Sequence, residues 1–285
     1  MTVEHREMNN DLEKKVMRKV TLRIIPFIML LYFIAFLDRV NIGFAALTMN
    51  QDLGFSPTVF GLGAGIFFLG YFLLEVPSNL ILHKVGARIW IARVMITWGL
   101  VSGCMAFVQG TTSFYVLRFL LGVAEAGFFP GIILYLSYWF PAAKRAQVTA
   151  IFMAAAPLST ALGSPISAAL LEMHGFLGYA GWQWMFVVEA IPALLLGVVV
   201  LFFLTDRPAK AKWLTDEERT WLENTMRAEE QARAAKQSHT SAWQGLADKR
   251  VLALALVYFG TSAGLYTLGI WSPQIIRSFG ATSMQ

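Results

Sequence analysis

Six ionisable side chains stand inside long apolar runs of this 285-residue sequence: Asp38, Arg39, Glu75, Arg118, Glu125 and Glu189. An unpaired charge in hydrocarbon costs about 2.5–3.5 kcal/mol or more, so such residues mark a polar path or a buried ion pair. Arg118 and Glu125 are two helical turns apart and project from nearly one face, with Gly122 between them. Asp38 and Arg39 are neighbours, so on a helix they point about 100° apart, one toward an adjoining helix and the other toward a cavity. Arginine keeps its charge and grips a carboxylate with a two-pronged fork. An organic anion entering such a site competes with Asp38 or Glu125 for an arginine, and the displaced acid takes a proton. The pattern therefore predicts a proton-linked anion site, against the alternative that these are structural ion pairs joining two spans. Tyr71, one turn before Glu75, offers a hydroxyl to the same region or serves as a packing aromatic. Glu75 and Glu189 precede Pro77 and Pro192 and read as partners of backbone groups freed by those prolines.

The elements that must position these groups are transmembrane helices. About 20 apolar residues cross the hydrocarbon core as a helix, and seven stretches meet that length, at 24–47, 58–82, 89–108, 113–140, 147–171, 184–204 and 251–276. Basic residues follow a one-sided pattern. The N-terminal segment holds six, Lys84, Arg88 and Arg93 lie in or just inside the loop after span two, two follow span four and nine follow span six. Twenty of 23 thus fall on one side, which the positive-inside rule makes the cytoplasm, leaving Arg39, Arg118 and Arg277 as exceptions. The first apolar run is longer than a signal-peptide core and lacks an A-x-A site, so it is expected to remain as span one. Leu12, Val16 and Val20 recur at helical spacing among charges and read either as a short interfacial helix leading into that span or as a plain solvated charge run. In the long polar loop, Thr215-Asp216-Glu217-Glu218 has capping-box spacing and predicts a helix reaching Lys236. Gly61, Gly63, Gly65 and Gly70 in span two and Gly163 in span five are expected to admit close helix packing. Pro130 with Gly131 is expected to kink span four.

Composition excludes several classes. The chain is 56% hydrophobic and only 14% charged, far from a soluble domain. Its net charge of +5 is spread over short segments without a basic face, so no nucleic-acid partner is implied. The single cysteine, Cys104, rules out an intramolecular disulfide, and His83 and His174 lack companions at ligand spacing, so no metal or cofactor is expected. No phosphate loop, nucleophile elbow or zinc-protease motif occurs, so the chain is not expected to be an enzyme and energy must come from a gradient.

Four stretches carry a resemblance: "LDRVNIGFA" at 37–45, "GYFLLEVPSNLILHKVGAR" at 70–88, "RFLLGVAEAGFFPG" at 118–131 and "DRPAKAKWLTDEER" at 206–219. In these the sequence resembles the major facilitator superfamily, and more narrowly its anion:cation symporter branch, which includes bacterial tartrate, phthalate and sugar-acid transporters. The superfamily signature after span two is degenerate here, with Asn79 in place of a glycine and His83 in place of an aspartate, while Gly86 and Arg88 remain. The resemblance implies that Asp38 and Glu125 are proton-coupling acids and that Arg39 and Tyr71 belong to the substrate site; Arg118 matches the arginine that begins the family's span-four motif and is read as a further substrate-binding residue. It implies an all-α polytopic membrane fold of twelve spans in two six-helix halves, with substrate between them. The expected organisation is a cytoplasmic N-terminus at 1–23, a six-helix bundle at 24–204, a cytoplasmic linker at 205–250 and a seventh span at 251–285. The second half is then incomplete, as in a fragment or a truncated product. The expected activity is proton-coupled uptake of small organic carboxylates across the bacterial cytoplasmic membrane. An exporter of the same fold and an inactive or sensor-like truncated membrane protein are the alternatives.

Overall fold

The computed structural model describes residues 3–236 and 248–280. The part of the expected linker between these two ranges lies outside the described residues. Ten α-helices are present among them: α1 (Val3–Asp52), α2 (Pro57–Val85), α3 (Ala87–Cys104), α4 (Thr111–Glu125), α5 (Phe128–Trp139), α6 (Ala142–Met153), α7 (Ala155–Leu171), α8 (Gly181–Phe203), α9 (Asp216–Lys236) and α10 (Lys249–Ser278). Seven helical stretches are long and apolar enough to cross a membrane, and α4 with α5 and α6 with α7 each make one of them. Backbone polar groups must be satisfied within the segment in hydrocarbon, which is why an all-helical chain results.

α1 runs between α7 and α8, α3 lies between α8 and α4, and α2 packs along α4. Small residues set these distances. A side chain on Gly122 would place its Cβ 2.0 Å from the Phe67 carbonyl oxygen, and one on Gly70 would sit 2.5 Å from that of Phe119. α2 and α4 therefore meet backbone to backbone. Gly163 admits Leu37 in the same way, whereas Gly65 has no neighbour within 4 Å, so it does not serve the packing role expected of it.

The break in span four corrects the expectation about Pro130. The chain interrupts its helix at Ala126 and Gly127, where Gly127 has φ of +83° and a Cβ would lie 2.3 Å from Ser78 Oγ. Both demands require glycine. Pro130 sits in the first turn of α5, where its missing N–H is one of the donors that lacks a helical partner anyway.

The two ends of the bundle differ. At one end the start of α1, the α2–α3 turn, the α5–α6 turn and the polar segment after α8 come together. Asp206 accepts the Arg88 N–H at 3.0 Å, Tyr135 donates to the Thr205 carbonyl at 3.0 Å, and Glu229 accepts from Ala142 N and pairs with Arg145. At the other end Trp182 donates to Asp52 at 2.8 Å, Gln183 donates to the Ala106 carbonyl and Arg277 donates to the Leu47 carbonyl. The segments rich in lysine and arginine are thus gathered at one end.

The capping box forms as expected: Thr215 N donates to Glu218 Oε2 at 3.0 Å and Glu218 N to Thr215 Oγ1 at 3.2 Å. The N-terminal stretch differs from the expected interfacial helix. It is one helix with span one and packs on α9, with Val16 and Val20 wholly buried and Lys15 and Lys19 paired to Glu218. Its apolar face therefore meets protein rather than lipid headgroups.

Candidate functional site

Asp38 and Arg39 diverge from the middle of α1 as their spacing requires, and each builds a separate polar group. Arg39 turns toward α4 and forms a buried ion pair with Glu125. It also donates to the hydroxyl of Tyr266 on α10. Three rings surround its guanidinium, with centroids at 5.2 Å for Tyr71, 5.6 Å for Tyr266 and 5.7 Å for Phe67. Each ring face attracts a cation, more strongly where water is excluded. Arg39 Nε remains buried with no acceptor among the described residues.

Asp38 turns the other way, toward α3. It accepts from Trp98 Nε1, from Ser102 Oγ at 2.5 Å and from Asn41 Nδ2 at 3.0 Å. The same Asn41 nitrogen donates to Glu189 Oε2 at 2.9 Å, and Ser167 donates to Glu189 Oε1 at 2.6 Å. Two acids, each 3% exposed, are thus bridged by one amide and surrounded by neutral donors. Among the described residues neither has a basic side chain within 4.0 Å.

Arg118 is buried but stands apart from the Arg39 and Glu125 pair. Its Nε donates to the Gly63 carbonyl at 3.3 Å, and its guanidinium lies 4.8 Å from the Phe67 centroid. Both arginines thus lie near the Phe67 ring, Arg39 at 5.7 Å from its centroid and Arg118 at 4.8 Å. Glu189 corrects the expectation that it satisfies backbone groups near Pro192, because its carboxylate is used by side chains of α1 and α7. Near Pro77 it is Asn79 that donates to the Glu75 carbonyl, at 2.9 Å, and among the described residues no backbone group bonds the Glu75 carboxylate.

The structure thus joins Arg39, Glu125 and Tyr71 in one cluster, sets Asp38 in a second and leaves Arg118 beside both. Sequence reasoning did not find Asn41, Trp98, Ser102, Ser167 or Tyr266. Asn41 lies within the 37–45 motif, three residues after Asp38, so a spacing of nearly one helical turn was the available signal.

A multi-pass helical membrane protein with a buried charged centre is the class that this fold and site define. Residues 28–285 match the model of the Major Facilitator Superfamily. A protein of Agrobacterium vitis named "Putative tartrate transporter" is 80% identical over 278 residues, which cover 98% of this chain and 64% of that relative. The "Quinolone resistance transporter" of Acinetobacter baumannii is 45% identical over 96% of this chain and 63% of its own length. The crystal structure of a D-xylose-proton symporter matches with a TM-score of 0.66 over 92% of this chain and 63% of that one, at 16% identity, a likeness of fold alone. The chain belongs to the Major Facilitator Superfamily, a family of membrane transporters rather than enzymes. It spans a little under two thirds of the length of these curated relatives.

Proposed function

We propose that the chain is the N-terminal part of a secondary transporter that takes up small organic carboxylates together with protons. The single observation that carries this reading is the Arg39 and Glu125 pair: a permanent cation, ringed by aromatics, held by an acid and retaining a free Nε. An entering carboxylate takes the Arg39 fork, Glu125 loses its cation, and in a water-poor site the displaced acid binds a proton. Substrate and proton then arrive together. Asp38 is the second proton-handling acid on this reading, Tyr71 a substrate contact and Arg118 a further buried cation that favours anions. The name of the Agrobacterium vitis relative supports a hydroxylated dicarboxylate such as tartrate.

The same reading divides the chain into a six-helix bundle at 24–204, a linker at 205–250 and the start of a second bundle. The one-sided basic residues support a cytoplasmic N-terminus in the inner membrane of a bacterium. The test uses the protein in proteoliposomes, comparing uptake driven by a pH gradient with substrate exchange at equal pH. Asp38→Asn and Glu125→Gln should each lose at least tenfold of gradient-driven accumulation while keeping most of the exchange. Accumulation at the wild-type level in both variants would remove the coupling assignment. For Arg39→Ala, substrate affinity should fall at least tenfold.

Export is the second reading, and one observation favours it: the 45% identical relative is named for quinolone resistance. A panel of carboxylates and lipophilic cations, offered to vesicles of both orientations, separates the two.

A further inference from the structure

The basic end of the bundle holds a cavity that the transport reading does not use. It has a volume of about 790 Å³ and lies between α1 at Arg23, the start of α3, the end of α8 and the segment that follows it. Its walls carry five cationic side chains, Arg23, Arg88, Lys210, Lys212 and Arg219, against one acid, Asp206. That acid is already engaged, accepting the Arg88 N–H at 3.0 Å and lying 3.7 Å from Lys210 Nζ. Arg219 is engaged as well, with Asp216 and with the Ala211 and Leu214 carbonyls. Arg23, Arg88 and Lys212 have no carboxylate within 4.0 Å among the described residues. Arg23 is nevertheless held in place, its guanidinium 4.7 Å from the Phe203 centroid and 5.1 Å from that of Trp213. A positioned arginine with its fork unused, two further free cations and an open concavity make a site for a phosphate or another multivalent anion.

The flank of the cavity selects the kind of anion. Phe202, which lines the cavity at the end of α8, is 83% exposed. It is at the end of a span, so the cavity opens where apolar surface ends and polar chain begins. Trp213 on its wall is the amphipathic type enriched at that depth. A soluble anion gains nothing from exposed Phe202, whereas a ligand with a charged head and acyl chains uses it. We infer that this cavity binds the headgroup of an anionic phospholipid, with its acyl chains lying along Phe202. The bound phosphate bridges Arg23 of α1, Arg88 of α3 and Lys212 after α8, and so ties that segment to the bundle.

Native mass spectrometry of the protein, released from mixed micelles of phosphatidylglycerol and phosphatidylcholine, tests the site. The wild type should retain one phosphatidylglycerol in at least fivefold preference. Arg23→Gln with Lys212→Gln should abolish that preference. Lys144→Gln with Arg227→Gln removes the same charge from exposed positions outside the cavity and should keep it. If the Arg23 variant does not fold, Arg88→Gln with Lys212→Gln, both at exposed positions, carries the same expectation. Undiminished phosphatidylglycerol retention in the cavity variants overturns the proposal, and so does equal retention of phosphatidylcholine. Displacement of the lipid by millimolar glycerol 1-phosphate overturns it too, because the site then belongs to a soluble anion.

Discussion

Asn41 donates from one amide nitrogen to Asp38 and Glu189, so its removal touches two buried acids at once. A buried acceptor that loses its donor costs about 1–3 kcal/mol, and more when the group carries charge. Asn41→Ala should therefore lower the unfolding free energy in detergent by about 2–3 kcal/mol, read from the thermal midpoint. Asn41→Asp should be worse, since it adds a third carboxylate where two already lack a basic partner. Equal stability of Asn41→Asp and wild type would show that the bridge contributes little. The charged members of the site were legible because acids and arginines are rare in apolar runs, as with Asp38, Arg39 and Glu125. Their neutral partners were not. Trp98, Ser102 and Ser167 are ordinary residues of membrane helices, and Trp98 reaches Asp38 across 60 positions of sequence while Tyr266 reaches Arg39 across 227. Glu189 was misread because Pro192 is near it in sequence, whereas its side chain follows the helix face toward α1.

Among the helices, the α2–α4 contact shows why glycine counts must be read with position. Gly63, Gly70 and Gly122 all face a neighbour, Gly63 with its Cβ position 2.0 Å from the Phe114 ring, while Gly65 faces none. A side chain at Gly122 meets backbone, which is unable to swing aside as a flexible side chain does. Overpacking costs about 1–3 kcal/mol, so Gly122→Ala should lower the melting temperature of the chain in detergent. It should also separate α2 from α4 and so loosen the ring of Phe67 and Tyr71 about Arg39. Gly65→Ala is the matched control and should be neutral or stabilising by up to about 1 kcal/mol, because alanine favours helix. Indistinguishable effects of the two substitutions would sink the close-contact argument. The period and length of the apolar runs made all seven spans legible. Breaks within them were less so: Pro130 looked like the breaker of span four, yet proline in a first helical turn costs nothing, and the real break needs the positive φ of Gly127.

At the scale of the whole molecule, the two ends of the chain's first bundle are closed differently, and the basic end is held by a clamp outside the spans. Glu218, 2% exposed, accepts from Lys19 Nζ at 2.8 Å and from Thr215 N at 3.0 Å, with Lys15 Nζ at 3.6 Å. Burial alone would push its carboxyl up. The Lys19 hydrogen bond, the Thr215 N–H and the positive charges of Lys19 and Lys15 outweigh that, and hold it below the usual carboxylate range. A depressed carboxyl contributes stability that is fully present above its unfolded value of about 4.3 and is lost as pH falls through the folded value. The docking of α9 on α1 should therefore be constant from neutral pH down to about pH 5 and weaken below about pH 4. Lys19 is 41% exposed, so solvent screens the pair and its contribution is about 1 kcal/mol. Lys19→Gln should then raise hydrogen exchange of α9 amides about fivefold at pH 7, and 1 M salt should narrow the gap from wild type. Because Glu218 also closes the capping box with Thr215, Glu218→Gln should raise exchange less than Glu218→Ala, as glutamine still accepts from the Thr215 N–H. Exchange in α9 that ignores both Lys19 and Glu218 would mean that apolar packing alone, through Leu222 and through Leu214 just before the helix, holds it against the bundle.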